Sequence, residues 1–513
     1  MKWAHDNQYY WWLAIFFIFA AGILVQANMI LNFDVSWLLT VTNKLLLGGH
    51  YYTNFIETNP PLILYLYIPA IIFAKTTHLS FSIAFKIYTF ALAAGSLYIC
   101  NILLQRIFDN SYNSIRYALL VVIAFAWVLM PGYSFGEREH FAIMLTLPYL
   151  FLLDLRLTEK VFNFYLVVLL GFMAGIGFAI KPHFLFVLVI CELFFIYKRR
   201  NLFAWLRLET MVIGLVILSY GASLFLLTPN YIFKVWPLVY HLYFIAAREP
   251  FGALIAQPTF IFWLIVFGVY FLLYEKIQHK NLAQILLFAS LGYLISYFIQ
   301  HTTWYYHLLP VLTIITLLMI LFIGEKILSI AKINWLDIGL IVLLQLSILV
   351  FPVMDTVRHV TTGILTTKHM QTNRLFQFVK NNAYQQPIYV FAVQIPIISG
   401  LVDYAKAISA SRFPSQLFMP GLIWLSNQTN LSKAQIVRLK KQKKEIIDIV
   451  VFDLQKNQPK IILVDKNKKN LYPNKKHFDY IKFFSQDSRF RKFFKHYQYF
   501  GIIDHFAIYL CKK

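Results

Sequence analysis

Long apolar runs alternate with short polar segments through the first two-thirds of the chain. Twelve runs of roughly 16–22 residues occur, a length at which a helix crosses the hydrocarbon core of a bilayer. They cover residues 9–31, 60–77, 81–104, 115–131, 141–155, 161–180, 183–197, 209–228, 258–274, 282–299, 305–323 and 336–353. This pattern predicts a polytopic α-helical membrane protein.

After residue 353 the pattern changes to shorter elements. The strings "IYVFAVQI" and "PKIILVDKN" are apolar stretches bounded by polar turns, which predicts strands. "KAQIVRLKKQKKEIIDIVVFDLQ" has the period of an amphipathic basic helix, and "FRKFFKHYQYFGIIDHFAIYLC" is expected to supply closing strands. We therefore predict two domains, a transmembrane domain at 1–353 and a soluble, basic α/β domain at 354–513.

The composition supports a membrane protein. The chain of 513 residues is 59% hydrophobic and 13% charged, with a mean hydropathy of +0.62, whereas soluble proteins carry about 25% charged residues. The first run lacks a small-residue cleavage site, so it predicts a retained helix. Three cysteines, Cys100, Cys191 and Cys511, predict no disulfide framework. We expect no nucleic-acid partner for an integral membrane protein.

The positive charge is concentrated in the C-terminal part. From residue 366 to 513 there are 25 Lys and Arg against 8 Asp and Glu, which is about +17 of the net +23. Such a segment on a membrane protein indicates anionic lipid or a phosphate-bearing glycolipid nearby. A solvated lysine-rich surface is the alternative interpretation.

The distribution of Lys and Arg among the short loops predicts the topology. Five basic loops should share the cytoplasmic side with the N-terminus, where Lys2 is opposed only by Asp6. These loops carry Arg106 and Arg116; Arg156 and Lys160; Lys198, Arg199, Arg200 and Arg207; Lys276 and Lys280; and Lys326 and Lys332. They share one side only if the run at 60–77 does not cross, because one further crossing would move all five outside.

The prolines of this run agree with a segment that does not cross. Pro60 and Pro61 lack backbone N–H groups, and Pro69 lies where it would kink a helix. We therefore predict that 33–80 is an outer-face loop with interfacial helices. Eleven transmembrane helices and an extracytoplasmic C-terminal domain follow.

This topology collects unusual polar residues on the outer face, where ionisable groups beside a membrane are functional candidates. They are Asp34 after the first helix, Glu57 before Pro-Pro, the cluster Glu137, Arg138, Glu139 and His140 in "GEREH", Lys181 and His183 around Pro182, and Tyr306 and His307 in "TTWYYH". Ordinary roles remain open at this point: an interfacial acid or helix cap for Asp34, a snorkelling amine for Lys181, and an aromatic belt for Tyr306.

The stretch "FDVSWLLTVTNKLLLGGHYYTNFIETNPPLILYLY" resembles the first outer loop of the GT-C superfamily of membrane glycosyltransferases. It is most similar to the protein mannosyltransferase and aminoarabinose transferase branch. Shared features are an Asp just after the first helix, "LL.GG..Y", and an acid before Pro-Pro. The lysine at 181 and the string "YHLLP" are also similar. Where the family often has a lone Asp followed by Pro, this chain has "GEREH", and the tail matches no known pattern.

The resemblance implies an inverting glycosyltransferase that moves a hexosyl or pentosyl group from a polyprenyl-phosphate-linked donor. The acceptor would be an envelope glycolipid such as lipid A, another glycan or a protein, on the extracytoplasmic face of the bacterial inner membrane. Asp34 is expected to be the general base, with Glu57 as the second catalytic carboxylate.

Further roles are implied for the remaining candidates. The donor phosphate is expected to contact Lys181, His183, Arg138, Tyr306 and His307. A divalent cation, Mg²⁺ or Mn²⁺, is expected at Glu57, Glu137, Glu139 and His140 if the enzyme needs one; carboxylate ligands favour these ions, and a histidine ligand would favour Mn²⁺ or Zn²⁺.

Two other functions compete with this one. A transporter or flippase of lipid-linked or small polar substrates should show internal repeats and broken helices at mid-membrane depth. The sequence shows no repeat, and its ionisable residues lie at one rim. A catalytically inactive relative that acts as a scaffold is the third possibility. The presence of both Asp34 and Glu57 argues against it.

Overall fold

The computed structural model describes residues 8–160, 162–329, 335–467, 471 and 478–512. Lys2, Asp6 and Lys332, which entered the topology prediction, lie outside the described residues. The first helices are α1 (Gln8–Ala27), α2 (Phe33–Leu46), α3 (Leu62–Thr77), α4 (Phe81–Ile107), α5 (Asn113–Val128), α6 (Arg138–Leu157), α7 (Phe164–Ala179), α8 (Leu185–Arg199) and α9 (Leu208–Leu226). The next are α10 (Trp236–Leu238), α11 (Phe244–Ala247), α12 (Phe251–Ile255), α13 (Pro258–Leu273), α14 (Lys280–Gln300), α15 (Tyr305–Ser329), α16 (Trp335–Ile348) and α17 (Met354–Thr372).

The C-terminal part adds short helices and a sheet. The helices are α18 (Arg374–Asn382), α19 (Ile395–Asp403), α20 (Met419–Ser426), α21 (Lys433–Asn457), α22 (Tyr480–Phe484) and α23 (Ser488–Phe494). The strands are β1 (Pro387–Phe391), β2 (Ile408–Ser409), β3 (Ile461–Asp465), β4 (Tyr497–Ile503) and β5 (Phe506–Cys511).

The helices follow the apolar runs of the sequence. Within the described residues, nine helical segments are long and apolar enough to cross a membrane. Shorter apolar helices are α3, α7 and the segment Tyr231–Ala247, so the structure is compatible with a number near the predicted eleven. The prediction of a polytopic α-helical membrane protein is confirmed.

The chain forms two compact units. The first unit comprises Met1–Asn32, Ile72–Ala222 and Glu249–Ile364, and the second comprises Phe33–Ile71, Ser223–Arg248 and Leu365–Lys513. The second unit thus combines the first predicted outer loop with the C-terminal residues. The division into domains at 1–353 and 354–513 stays a prediction from composition.

The first unit is a helical bundle centred on α6 and α15. Both helices are buried along 89% of their apolar stretch, because α15 packs against α5, α6, α13 and α14. By contrast, α1 is buried along only 17% and presents apolar side chains outward. A helix that is apolar and exposed is what a lipid-facing position requires.

Two glycines let α7 approach its neighbour α9 closely. A Cβ at Gly171 would lie 2.7 Å from the carbonyl oxygen of Glu209, and a Cβ at Gly175 would lie 2.8 Å from the Cβ of Val216. Their four-residue spacing places both glycines on one face of α7. Small residues at this spacing are typical of packed membrane helices.

The second unit contains a five-stranded mixed sheet in the order β2-β1-β3-β5-β4. Strands β2, β1 and β3 are parallel, whereas β5 pairs antiparallel with both β3 and β4. β3 is buried along its whole length, and its first four residues form the apolar run that a central strand requires. The predicted strands at "IYVFAVQI" and "PKIILVDKN", the basic helix and the closing strands are all present, which confirms an α/β unit.

The last membrane helix continues further than its apolar run. A π-helical turn at Leu349–Val353 joins α16 to α17, so the helical segment extends to Thr372. Pro352 lies in this turn and lacks a backbone N–H, which the wider π turn accommodates. A change of composition near residue 353 therefore does not coincide with the end of the helix.

Candidate active site

A buried group of ionisable side chains lies in the first unit. Lys181 Nζ is 2.5 Å from Glu139 Oε1 and donates a hydrogen bond of 2.7 Å to Gln300 Oε1. His307 Nε2 lies 3.5 Å from the same oxygen of Glu139. Lys181, Glu139 and His307 are 7%, 0% and 5% exposed. We call these three residues the ion cluster; buried charges of this kind persist only when they are paired.

Helix ends bring the ion cluster together. Glu139 belongs to the first turn of α6 and His307 to the first turn of α15. Lys181 caps the short turn Pro182–Phe184, where the proline ends α7 and the chain turns into α8. Polar side chains at the ends of apolar helices can face the membrane interface while the helix bodies remain apolar.

A second cation and an aromatic ring adjoin the ion cluster. Arg138 Nη2 lies 3.1 Å from Glu137 Oε2, and both side chains are buried. The ring of Tyr306 lies 5.2 Å from Arg138 Cζ and 6.0 Å from Lys181 Nζ. Two cations, each paired with a buried carboxylate, thus lie beside one aromatic ring in a poorly solvated place.

The orientation of His307 is set by Thr302. The hydroxyl of Thr302 lies 2.6 Å from His307 Nδ1, so the other ring nitrogen faces Glu139. Glu139 Oε2 is buried and has no hydrogen-bond partner among the described residues.

Gln300 and Thr302 were not singled out from the sequence. Both lie within "QHTTWYYHLLP", so the polar character of that whole string was the available signal.

Burial sets the protonation of the groups at the α7–α8 junction. Burial and, to a smaller extent, the nearby Lys181 lower the pKa of His183 to about 3, so this imidazole is neutral at pH 7. Burial also lowers the pKa of Lys181, and the charge of Glu139 opposes that shift. His183 can therefore offer a hydrogen bond to an anion, but no positive charge.

His140 is held by backbone groups. Its Nδ1 accepts a hydrogen bond of 3.0 Å from the N–H of Gly136, so Nε2 carries the proton and donates to the carbonyl of Trp127 at 2.8 Å. Neither nitrogen retains a lone pair for a metal. The described residues also contain no group of three or more His, Cys, Asp or Glu side chains arranged to hold a metal ion. As they stand, these donors do not fit the expected cation, which stays a prediction.

In the second unit, Asp34 and Glu57 occupy defined positions. Asp34 lies in the first turn of α2 and is half-buried; a helix N-terminus favours a carboxylate. Glu57 is 3% exposed. Its Oε1 accepts hydrogen bonds from the backbone N–H of Asn59 at 2.7 Å, from Asn59 Nδ2 at 2.6 Å and from the hydroxyl of Thr58 at 3.3 Å. The turn before Pro-Pro therefore fixes this carboxylate.

C-terminal residues of the second unit hold the loop that carries Glu57. Arg412 Nε donates to Asp453 Oδ1 at 2.8 Å, and its Nη1 donates to the carbonyl of Tyr52 at 2.9 Å. The N–H of Ile56 donates to the carbonyl of Arg412 at 2.7 Å. We call these contacts the Arg412 clamp. They link residues that are 360 positions apart in sequence.

The structure thus brings most of the predicted residues into two groups. Within the first unit, Arg138, Glu137 and Tyr306 lie beside the ion cluster, and His183 is two residues from Lys181. Asp34 and Glu57 belong to the second unit. The catalytic, phosphate-binding and metal-binding roles assigned to all of these residues stay predictions.

The fold of the chain is similar to that of solved membrane-protein structures over nearly its whole length, in agreement with the resemblance of the first loop. The chain is similar to two crystal structures of the aminoarabinose transferase ArnT from Cupriavidus metallidurans. The apo structure has 11% identity and a TM-score of 0.55 over 96% of this chain and 97% of that one. The structure bound to undecaprenyl phosphate has 10% identity and a TM-score of 0.57 over 97% of both chains.

The oligosaccharyltransferase of Archaeoglobus fulgidus is more distant, with 11% identity and a TM-score of 0.46 over 90% of this chain and 70% of that one. No family model matches the chain, and no curated protein sequence matches it. At these identities the similarity to ArnT establishes the fold of a multi-pass membrane protein.

Proposed function

We propose that this protein is an inverting glycosyltransferase that uses a polyprenyl-phosphate-linked sugar on the extracytoplasmic face of a bacterial inner membrane. The ion cluster at the ends of membrane helices is the observation that supports this most strongly. A donor of this type has its lipid tail in the bilayer and its phosphate at the interface, where such a cluster can meet it. The ArnT structure of similar fold is bound to undecaprenyl phosphate, which also supports the proposal.

The ion cluster and Arg138 have the chemistry to hold a leaving phosphate. An ammonium group has three N–H donors. Glu139 and Gln300 engage two of those of Lys181, which leaves one for a phosphate oxygen. Positive groups in a water-poor site stabilise negative charge that develops on the leaving group. His183 and Tyr306 add hydrogen-bond donors to the same role.

Asp34 is the proposed general base. The acceptor hydroxyl oxygen attacks the anomeric carbon from the face opposite the phosphate, and the carboxylate of Asp34 takes the hydroxyl proton. The bond between the anomeric carbon and the phosphate oxygen breaks, and its electron pair leaves with the phosphate. The configuration at the anomeric carbon is therefore inverted. A positioned base contributes roughly 10²–10⁴ in rate.

Glu57 is proposed to orient the reacting hydroxyl groups. The turn at Thr58 and Asn59 holds its carboxylate rigidly, which suits a positioning role better than a mobile one. No step is assigned to a divalent cation. The sugar is a hexose or pentose, and the acceptor is an envelope glycolipid such as lipid A, another glycan or a protein.

The proposal is tested by Asp34→Asn, which removes the base but keeps the shape. Mass spectrometry of envelope lipids and glycoproteins should show a sugar-bearing product in cells with the native chain. We expect this product to fall at least a hundredfold with Asp34→Asn at equal protein level. Asp109→Asn is the matched control, since Asp109 is an exposed acid that caps a short turn. Near-normal product with Asp34→Asn would exclude Asp34 as the base.

A further inference from the structure

The second unit contains a large cavity, distinct from the ion cluster, whose charged lining residues are mostly basic. Its volume is about 950 Å³, in the range of sites that take a sizeable ligand. Six Lys and Arg residues line it against two acids. The basic residues are Lys234, Arg412, Arg438, Lys441, Lys444 and Lys456, and the acids are Glu445 and Asp448.

The two acids of this cavity already have partners. Glu445 Oε1 accepts a hydrogen bond of 2.7 Å from the hydroxyl of Tyr52, and Asp448 is paired with Arg489. Among the basic residues, Arg412 is paired with Asp453. Asp448 is therefore neutralised by Arg489, whereas Glu445 keeps its charge and is the one acid of the lining that faces the other five lining cations.

Three of these cations form an unpaired row on one face of α21. Arg438, Lys441 and Lys444 are spaced three residues apart, and none of them forms an ion pair with a described residue. Like charges at this spacing repel one another along a helix. Arg438 Nη1 also lies 3.1 Å from Nε2 of His241, another lining residue. An anion bound between α21 and His241 would relieve this repulsion.

Exposed aromatic side chains of the second unit adjoin the cavity. Phe233 lines the cavity and is 66% exposed. Its ring lies 6.3 Å from that of Phe225, which belongs to the last turn of α9. α9 is long and apolar enough to cross a membrane. Trp236 and Tyr240, on the same helical segment as Phe233, also present exposed rings. Basic and aromatic groups thus adjoin one another, as at a membrane interface.

We infer that this cavity binds the phosphate headgroup of an amphiphile, with a phosphomonoester seated on Arg438, Lys441 and Lys444 and its apolar part against Phe233. Three unpaired cations suit the dianionic monoester better than a phosphodiester with one charge. The aromatic rings favour a lipid over a free anion. This inference goes beyond the proposed transfer reaction and does not depend on it.

The test titrates short-chain lipids against the detergent-solubilised full chain at about 150 mM salt, where diffuse surface electrostatics are screened. We expect dihexanoyl phosphatidic acid to bind more tightly than dihexanoyl phosphatidylglycerol or inorganic phosphate, and phosphatidylcholine not to bind. Arg438→Gln/Lys441→Gln/Lys444→Gln should raise the Kd for phosphatidic acid at least tenfold. The charge-conserving variant Arg438→Lys/Lys441→Arg/Lys444→Arg should keep it within about threefold.

The matched control is Lys433→Gln/Lys440→Gln, which removes charge from the same helix outside the cavity lining. It should leave the Kd within about twofold. An equal loss in both neutralised variants would overturn the inference, because the effect would then be diffuse charge. Equal affinity for phosphatidylglycerol or inorganic phosphate would overturn the assigned ligand. The readout is binding alone, so these outcomes are separate from the transfer test with Asp34→Asn.

Discussion

At the scale of single residues, the main feature is that the buried ionisable groups have different kinds of partner. Lys181 and Glu139 neutralise one another in a buried place. The carboxylate of Glu57 accepts hydrogen bonds from the turn that follows it, and the ring of His140 is bound by two backbone groups. The sequence identified these residues as unusual, but it could not identify their partners, because Lys181 and Glu139 are 42 positions apart.

The pairing of Lys181 and Glu139 makes a prediction about stability. Lys181→Met removes one charge and leaves the other buried, which should lower the free energy of unfolding by about 3–5 kcal/mol. Lys181→Met/Glu139→Gln leaves no unpaired charge, so it should be clearly more stable than Lys181→Met alone. The thermal unfolding midpoint of the full chain in detergent measures both.

A solvent-exposed pair provides the control for this measurement. Lys280 and Glu275 are 3.4 Å apart, and Glu275 is 86% exposed. Lys280→Met should shift the midpoint very little, since exposed pairs contribute about 0–1 kcal/mol. If the double variant unfolds at or below the temperature of Lys181→Met, the destabilisation does not come from an unpaired carboxylate.

At the scale of elements, apolar periodicity was sufficient to find the helices, but it failed where a helix is not regular. The segment Tyr231–Ala247 is helical, yet it consists of two π-helical turns and short α-helical pieces around Pro237. It combines lysine, histidine and proline with aromatic residues, so no apolar run marked it. The helical extension to Thr372 was missed for a similar reason: α17 is polar enough to resemble a loop.

The close packing of α7 on α9 predicts an asymmetry between two glycines. Gly175→Val would place side-chain atoms against Val216 and Ile213, whereas Gly214 on α9 has nothing within 4 Å of an added Cβ. We expect Gly175→Val to destabilise the protein by about 1–3 kcal/mol through overpacking. Gly214→Val, with the same change in helix propensity, should have a much smaller effect on the thermal unfolding midpoint. If both variants unfolded at the same temperature, α7 and α9 could move apart without a loss of stability, and the predicted overpacking would be wrong.

At the scale of the whole molecule, the sequence predicted the class of fold and the α/β character of the C-terminal part. It did not predict that residues 33–71 and 223–248 group with the C-terminal residues. That grouping depends on contacts such as the Arg412 clamp, whose members carry no local signal. In the sequence, a buried arginine whose partners lie far away along the chain cannot be distinguished from an arginine on the surface.

The position of 60–77 relative to the membrane is the global prediction that remains to be tested. With Cys100, Cys191 and Cys511 replaced, we would introduce Thr53→Cys or Thr77→Cys, since both positions are exposed. A membrane-impermeant maleimide added to spheroplasts should label both, because we expect both on the outer face.

Gln278→Cys, in a loop predicted to be cytoplasmic, is the control for this experiment. It is also exposed, and it should react only after permeabilisation. If Thr77→Cys behaves like Gln278→Cys while Thr53→Cys is labelled directly, then 60–77 crosses the membrane and the charge argument for eleven crossings is wrong.

The Arg412 clamp also sets an order of events during synthesis. Tyr52 leaves the ribosome 360 residues before Arg412. At roughly 5–20 residues per second, this interval is on the order of 20–70 s. During that time the loop with Glu57 has already been made but lacks the arginine that holds it. The loop that carries Glu57 is therefore among the first parts of the protein to be translated, but it is fixed in place only after residue 412 has been made.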